Sequence, residues 1–356
     1  MIIEWFGRLL RVHKSEWSKV LLFTLLGAIL QAGIAIGASI SDSVFLSRVG
    51  SDKLPYVFIF MPVIMMIFIP LYNSSISKYG TDKIFSVSML AISVGSGLIF
   101  ALFLLGIESL DDTVQLVLYF FVKIWPFAIL LALSTLFWIM IEGYFDIIDA
   151  KRLFSFFNGG LAAGAALGGT FVTGFSDVIG IGPMFLAWSI LGIMCIPIAN
   201  IIRRKWRRIE DTDVSEERSQ IKVVYGAIKK SKYVKMVNFS ILALFFITTL
   251  TEYQYMDILS QNRSEQELAS LFGVLFAFAN VFNLIVNFFL FNRMVSFIGV
   301  RNVALIQPFI YCITFVWLIF DRSYSAAIFA FFAYQGFMTA IELNNVNFIF
   351  NAVSSD

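Results

Sequence analysis

FWIMIEGYFDIIDAKRLF, residues 137–154, begins as apolar helix and ends carrying five charges. An ionisable side chain at membrane depth costs roughly 2.5–3.5 kcal/mol on insertion scales, so it is kept only where it meets a partner, a cavity or water. Glu142, Asp146 and Asp149 are spaced i, i+4 and i+7, which predicts that they share one face as a helix leaves the bilayer. Lys151 and Arg152 follow within a turn, at the expected C-terminal end of that helix, where cations suit the dipole. The segment therefore reads as a cytoplasmic gate or charge relay, or, for Glu142 alone, as a proton or substrate site.

The rest of the chain supports a membrane setting. Of 356 residues, 59% are hydrophobic and 14% charged, a balance no ordinary soluble domain shows. Apolar runs long enough to cross the bilayer as helix recur along the chain, and the alternating ten-residue segments of a β-barrel do not. The reading is an all-α polytopic membrane protein with ten transmembrane helices, at about 19–41, 54–73, 83–106, 114–141, 155–175, 182–202, 236–257, 267–291, 302–320 and 324–347.

Four segments follow from this: an amphipathic surface helix over 1–18, a six-helix half over 19–202, a charged cytoplasmic linker over 203–235, and a four-helix half over 236–356. The surface helix sets Ile2, Trp5, Leu9 and Val12 against Glu4, Arg8, Arg11 and Lys14, and it has no signal-peptide cleavage pattern. The N-terminus and the loops after even-numbered spans carry 21 Lys and Arg, against 4 in the remaining loops, which predicts a cytoplasmic N-terminus.

An internal repeat divides the chain. YNSSISKYGTDKI (72–84) and FNRMVSFIGVRNV (291–303) align Asn73 with Asn292 and Gly80 with Gly299 at a single offset, each between the second and third helix of its half. Glu142 likewise has an echo in Glu342. Two parallel six-helix halves would need two more helices after the tenth, so the expectation is a 6+4 portion of a 6+6 bundle.

The candidate ionisable residues at membrane depth are Asp42, Lys123, Glu142, Glu252 and Glu342. Asp42 and Lys123 fall toward the same, outer, ends of their spans and are expected either to pair or, for Lys123, to snorkel toward the headgroups. Asn280, Asn283 and Asn287 fall on one face of span eight, and Gln335, Thr339 and Glu342 on one face of span ten, suited either to a polar ligand or to interhelical bonds. Gly160, Gly164 and Gly168 recur every fourth residue, a small-residue face for close helix packing.

Enzymatic classes find little support. Cys195 and Cys312 lie inside spans without a CxxC spacing, His13 is the only histidine, and neither GxxxxGK[ST] nor a strand-borne GxGxxG occurs. No metal, cofactor or nucleic-acid partner is expected, and an enzyme is not expected.

Phe137, Trp138, Glu142, Asp149, Ala150, Lys151, Arg152, Phe154 and Gly159, with Trp125 upstream, resemble the Phe-Trp, acidic, Ala-Lys-Arg-Phe segment of the ATP:ADP antiporter (nucleotide transporter) family, within the major facilitator superfamily. SDSVFLSRVGSDKLPYVFIFMP (41–62) is similar to that family's Lys-Asp stretch, with Asp42 as the Asp and Ser41 in place of the Lys, while Lys123 stands where the family shows Glu. The resemblance implies that spans one, four, seven and ten line a central cavity. It makes Asp42, Lys123, Glu142, Glu252, Asn283 and Glu342 the substrate or coupling-ion site, and Asp146, Asp149, Lys151 and Arg152 the cytoplasmic gate.

It further implies a secondary transporter of a nucleotide or related anionic metabolite in a bacterial inner membrane, working by exchange or ion-coupled uptake, with no cofactor. The lipid bilayer is the other expected partner, and the sequence assigns no oligomeric state. A membrane anchor or sensor built on a transporter fold is the alternative from a different class.

Overall fold

The computed structural model describes residues 16–209 and 232–342. Most of the expected surface helix, the middle of the linker and the end of span ten lie outside the described residues. Among the described residues eleven α-helices follow one another: α1 Trp17–Arg48, α2 Leu54–Tyr79, α3 Thr81–Leu105, α4 Asp112–Glu142, α5 Ile147–Ile179, α6 Ile181–Lys205, α7 Lys232–Ser260, α8 Glu265–Ile285, α9 Phe291–Val303, α10 Ile306–Phe320 and α11 Tyr324–Phe331. The last runs on as a π-helical stretch, Phe332–Glu342, and α8 is joined to α9 by a π-helical turn, Val286–Leu290.

Length and composition qualify eight of these as membrane spans, or nine if the pair bent by 70° between Val303 and Ile306 counts as one. Ten were expected, and among the described residues α7 is the one not counted, although its stretch MVNFSILALFFITTLTEY (236–253) carries a single charge. The outward faces are apolar, as a hydrocarbon solvent requires: α2 buries only Leu54, Val57 and Met65, and Met66, Leu105 and Phe320 are exposed.

Local sequence sets the helix ends. Ser264 and Glu267 form a capping box at the start of α8, and Asp111 caps α4 through the Thr113 amide. Gly80 stops α2 at φ 83° and ψ 151°, and its repeat partner Gly299 breaks α9 at φ 79° and ψ 155°. Two aligned glycines thus adopt one left-handed conformation that side chains disfavour.

Helix α5 supplies the central seam. On Gly160, Gly164 and Gly168 a β-carbon would run into Thr24, the Ala28 carbonyl and the Ala32 carbonyl of α1, so the small-residue face is a packing face. One position on, Gly169 meets Gly273 of α8 main chain to main chain, and Thr173 donates to the Ser270 carbonyl at 3.1 Å. Through these contacts α5 joins the first six helices to the later five.

Candidate substrate and gating site

Each helix runs between a near end, where residue 17 begins α1, and a far end, where Arg48 closes it. Close to the far end, α1 carries ISDSVF with Ser41, Asp42 and Ser43 all buried. Ser39 and Ser43 turn their hydroxyls back onto the Ala35 and Ile40 carbonyls at 2.8 Å, which leaves Asp42 in need of an external partner.

That partner is Lys123 of α4, whose Nζ lies 2.6 Å from Asp42 Oδ1. Its side chain is 6% exposed, so it does not snorkel. Glu252 of α7 approaches the same ammonium at 3.8 Å, and Met256 Sδ at 3.9 Å. Tyr255 of α7 and Tyr334 of the last helix stand close enough to Glu252 to interact with its charge. The first, fourth, seventh and last described spans therefore converge on one cluster. It gathers one lysine and two acidic side chains in a buried place, where the acids depend on the lysine staying between them.

Further polar contacts close the far end between the first six helices and the later ones. Arg48 donates from Nε to Glu265 at 2.7 Å. Ser51 donates to Asp257 at 2.7 Å, and Arg322 holds the other oxygen of Asp257 at 2.9 Å. An apolar cluster seals the same region, with Phe45, Leu46, Leu54 and Val57 against Tyr255, Leu259, Phe272 and Phe331.

The charged segment after α4 differs from its expected form. Helix α4 ends at Glu142, the chain turns through Gly143, and α5 starts at Ile147 with Asp146 in its N-cap position in extended conformation. Glu142, Asp146 and Asp149 therefore do not share a helix face. Asp149 sits in the first turn of α5, where a carboxylate suits the positive helix end, and Lys151 and Arg152 belong to an N-terminal turn rather than a C-terminal one. The helix breaks between Gly143, whose carbonyl accepts the Ile209 amide, and Asp146, whose backbone is extended. Glu142 and Asp146 are exposed.

Two other faces also change. The π-winding of Phe332–Glu342, with its i to i+5 bonding, removes the α spacing that placed Gln335, Thr339 and Glu342 together. Glu342 is half-buried, and its Oε2 has no hydrogen-bond partner among the described residues. Asn287 donates to Asn283 along its own helix and Asn280 to the Phe276 carbonyl at 2.9 Å, so those amides bond within α8 and its π-turn.

One near-end network had no sequence signal beyond the loop repeat. Tyr144 donates to Asp82 at 2.9 Å, Arg208 lies 4.0 Å from the same carboxylate, and Arg208 also donates to Thr81 at 3.1 Å. Burial, and then the Asp82 charge, push the Tyr144 phenol well above its ordinary range. Lys19 donates to the Tyr144 carbonyl and lies 4.2 Å over the Phe145 ring.

No family model and no curated protein sequence matches the chain. Solved structures do. An inward-open conformation of the xylose transporter XylE from E. coli superposes with a TM-score of 0.54 over 92% of this chain and 80% of that one, at 15% identity. A partially occluded inward-open conformation of the same transporter gives 0.54 over 94% and 86%, at 14% identity. At such identity the likeness is one of fold: this is a multi-pass membrane protein with a major facilitator-like helical bundle.

Proposed function

We propose that the chain is a secondary transporter working by alternating access, and that its far end is the closed outer gate. The observation that carries this is Lys123 held between Asp42 of α1 and Glu252 of α7, because such a bond must break when the two helix groups part. The Lys and Arg distribution makes the far end extracellular and the N-terminus cytoplasmic. The division into a first half over 19–202 and a second over 236–356 fits the shared conformation of Gly80 and Gly299. A likeness to inward-open structures of a sugar transporter supports the same state, with the outer side shut.

The substrate is a nucleotide or related anionic metabolite on the resemblance over residues 125–160. Lys123 is already committed to two carboxylates, so an anion entering the cavity draws on cations elsewhere or displaces Glu252 from the ammonium. Asp42, Lys123, Glu252, Asn283 and Glu342 are assigned to the substrate or coupling-ion site, and Glu142, at the near end of α4, is assigned to it on the resemblance alone.

Reconstitution of the full-length protein in liposomes tests the reading. Uptake or counterflow of labelled ATP, ADP, nucleosides or NAD above protein-free liposomes is the expected result. Absence of movement for all of them would sink the nucleotide assignment and leave the anchor or sensor role ahead.

A further inference from the structure

We propose that the near end carries a binding site for a single anionic phospholipid, set where the first turn of α1 meets the last turn of α6. The inference is independent of the transport reading and concerns what the bilayer itself supplies.

Two helix ends come together at this place. Lys205, the last residue of α6, donates from Nζ to the Ser18 hydroxyl in the first turn of α1 at 2.7 Å. That bond brings one face of each helix side by side. Beyond Ser18 on α1 stand Leu21 and Leu25, at i+3 and i+7, and beyond Lys205 on α6 stand Ile201, Met194 and Ile190, at i−4, i−11 and i−15. Such spacings keep each set within about 60° around its helix axis. All five side chains are exposed. Two apolar stripes thus run into the membrane from one polar foot, which is the outline of a lipid with two chains and a head.

The charges at the foot select the head. Arg203, Arg204 and Lys205 close α6 and are exposed. Arg203 gives one N–H to Asn200 at 2.8 Å, and the hydroxyl that Lys205 holds is a weaker acceptor than a phosphate oxygen. The nearby acids Glu16 and Asp149 both lie within electrostatic reach of Lys19, which offsets them. Trp17 and Trp206, both half-buried, flank the place at the depth where indoles sit in bilayers, and the Lys205 ammonium lies 4.9 Å from the Trp206 ring centroid.

Arg208, by contrast, is turned onto Asp82 and Thr81. The run RRKWRR is therefore divided in use, with its first three cations exposed and its last turned inward. A zwitterionic head would bring its own ammonium against those three cations, whereas an anionic head meets them unopposed. Each cation beside an anionic lipid surface strengthens attachment about fivefold.

Native mass spectrometry of the full-length protein, incubated in detergent with equal amounts of phosphatidylglycerol and phosphatidylcholine, tests the site. The wild type is expected to retain one phosphatidylglycerol, several-fold in preference to phosphatidylcholine. An excess of inorganic phosphate, which has no chains, should not displace it. The triple variant Arg203→Gln, Arg204→Gln, Lys205→Gln should cut retention about tenfold or more. Ser18→Asp keeps every cation but sets a carboxylate against Lys205, and should cut retention several-fold. Lys78→Gln, Lys83→Gln, which removes two exposed cations beside Tyr79 at the same end, should leave it unchanged.

Equal retention of the two lipids, or undiminished retention in Ser18→Asp, overturns the proposal, and Ser18→Asp decides alone if the triple variant does not fold. An equal loss in the Lys78, Lys83 variant overturns the site in favour of a diffuse field from all near-end cations. Displacement by inorganic phosphate overturns the lipid in favour of a small anion. Whether the protein moves any solute bears on none of these outcomes.

Discussion

Arg48 and Glu265 meet at 2.7 Å, joining the last turn of α1 to the first turn of α8 across the far end of the bundle. Glu265 is nearly buried while Arg48 is 38% exposed, so the bond lies between a surface pair and a buried one. Arg48→Ala is expected to remove about 1 kcal/mol from the closed state, a fivefold shift in population. A single cysteine at Ser43, buried in the same helix but outside the apolar seal, with Cys195 and Cys312 replaced by alanine, would report the shift as faster reaction with an impermeant thiol reagent. An unchanged rate would mean that the apolar seal alone holds the gate.

The buried cluster predicts an asymmetric charge-swap result. Lys123→Glu places a third carboxylate beside Asp42 and Glu252, and loss of a buried partner costs roughly 3–5 kcal/mol. The double swap Asp42→Lys, Lys123→Glu restores one pair but moves the ammonium from α4 to α1, away from the position Glu252 reaches. Thermal unfolding in detergent should therefore show partial recovery. Complete recovery would show that Glu252 contributes nothing.

Glycines along α5 separate into two kinds. A β-carbon on Gly164 meets the Ala28 main chain, whereas at Gly174 there is nothing within 4 Å. Gly164→Ala is expected to destabilise by about 1–3 kcal/mol through overpacking. Gly174→Ala should be neutral or stabilising by up to about 1 kcal/mol. Melting temperatures moving in the same direction for both would contradict this packing.

Gly80 and Gly299 provide a control free of contacts, since a β-carbon on either meets nothing within 4 Å. Alanine at each should cost about 1–3 kcal/mol from backbone strain alone, and by similar amounts. Denaturation midpoints for the two variants test whether the repeat is conformational as well as textual.

Tyr144 carries a pH prediction. Its phenol is raised in the folded protein, so its contribution is fully present below the ordinary tyrosine value of about 10 and is lost as pH climbs above it. Tyr144→Phe removes that alkaline component and the bond to Asp82. Unfolding followed across alkaline pH would show the wild type declining more steeply than the variant.

The fold was readable because bilayer thickness sets helix length, and hydropathy reports it directly. The meeting of Asp42 with Lys123 was readable for a related reason: two opposite charges at matching depths in lipid have little else to pair with. Glu252 was visible as an isolated charge, but its arrival at the same ammonium depends on how α7 lies against α1 and α4, which no spacing along the chain encodes. The turn at Gly143 was missed because 3.6-residue periodicity continues on paper through a glycine that hydrogen-bonds to Ile209, 66 positions later. The π-winding of Phe332–Glu342 escaped for the same reason, since a pattern argument presumes the helix whose period it counts.

The contact of Gly169 with Gly273 has a mechanical consequence. Side chains on most helix pairs interdigitate, and one helix must ride over the other's ridges before it can turn. Here two bare backbones touch, like the smooth faces of a fulcrum, with no ridge to climb at the point of contact. Glu265 lies eight residues, about 12 Å along α8, from that point, so any turn of α8 about it acts directly on the bond to Arg48 and on the apolar cluster beside it.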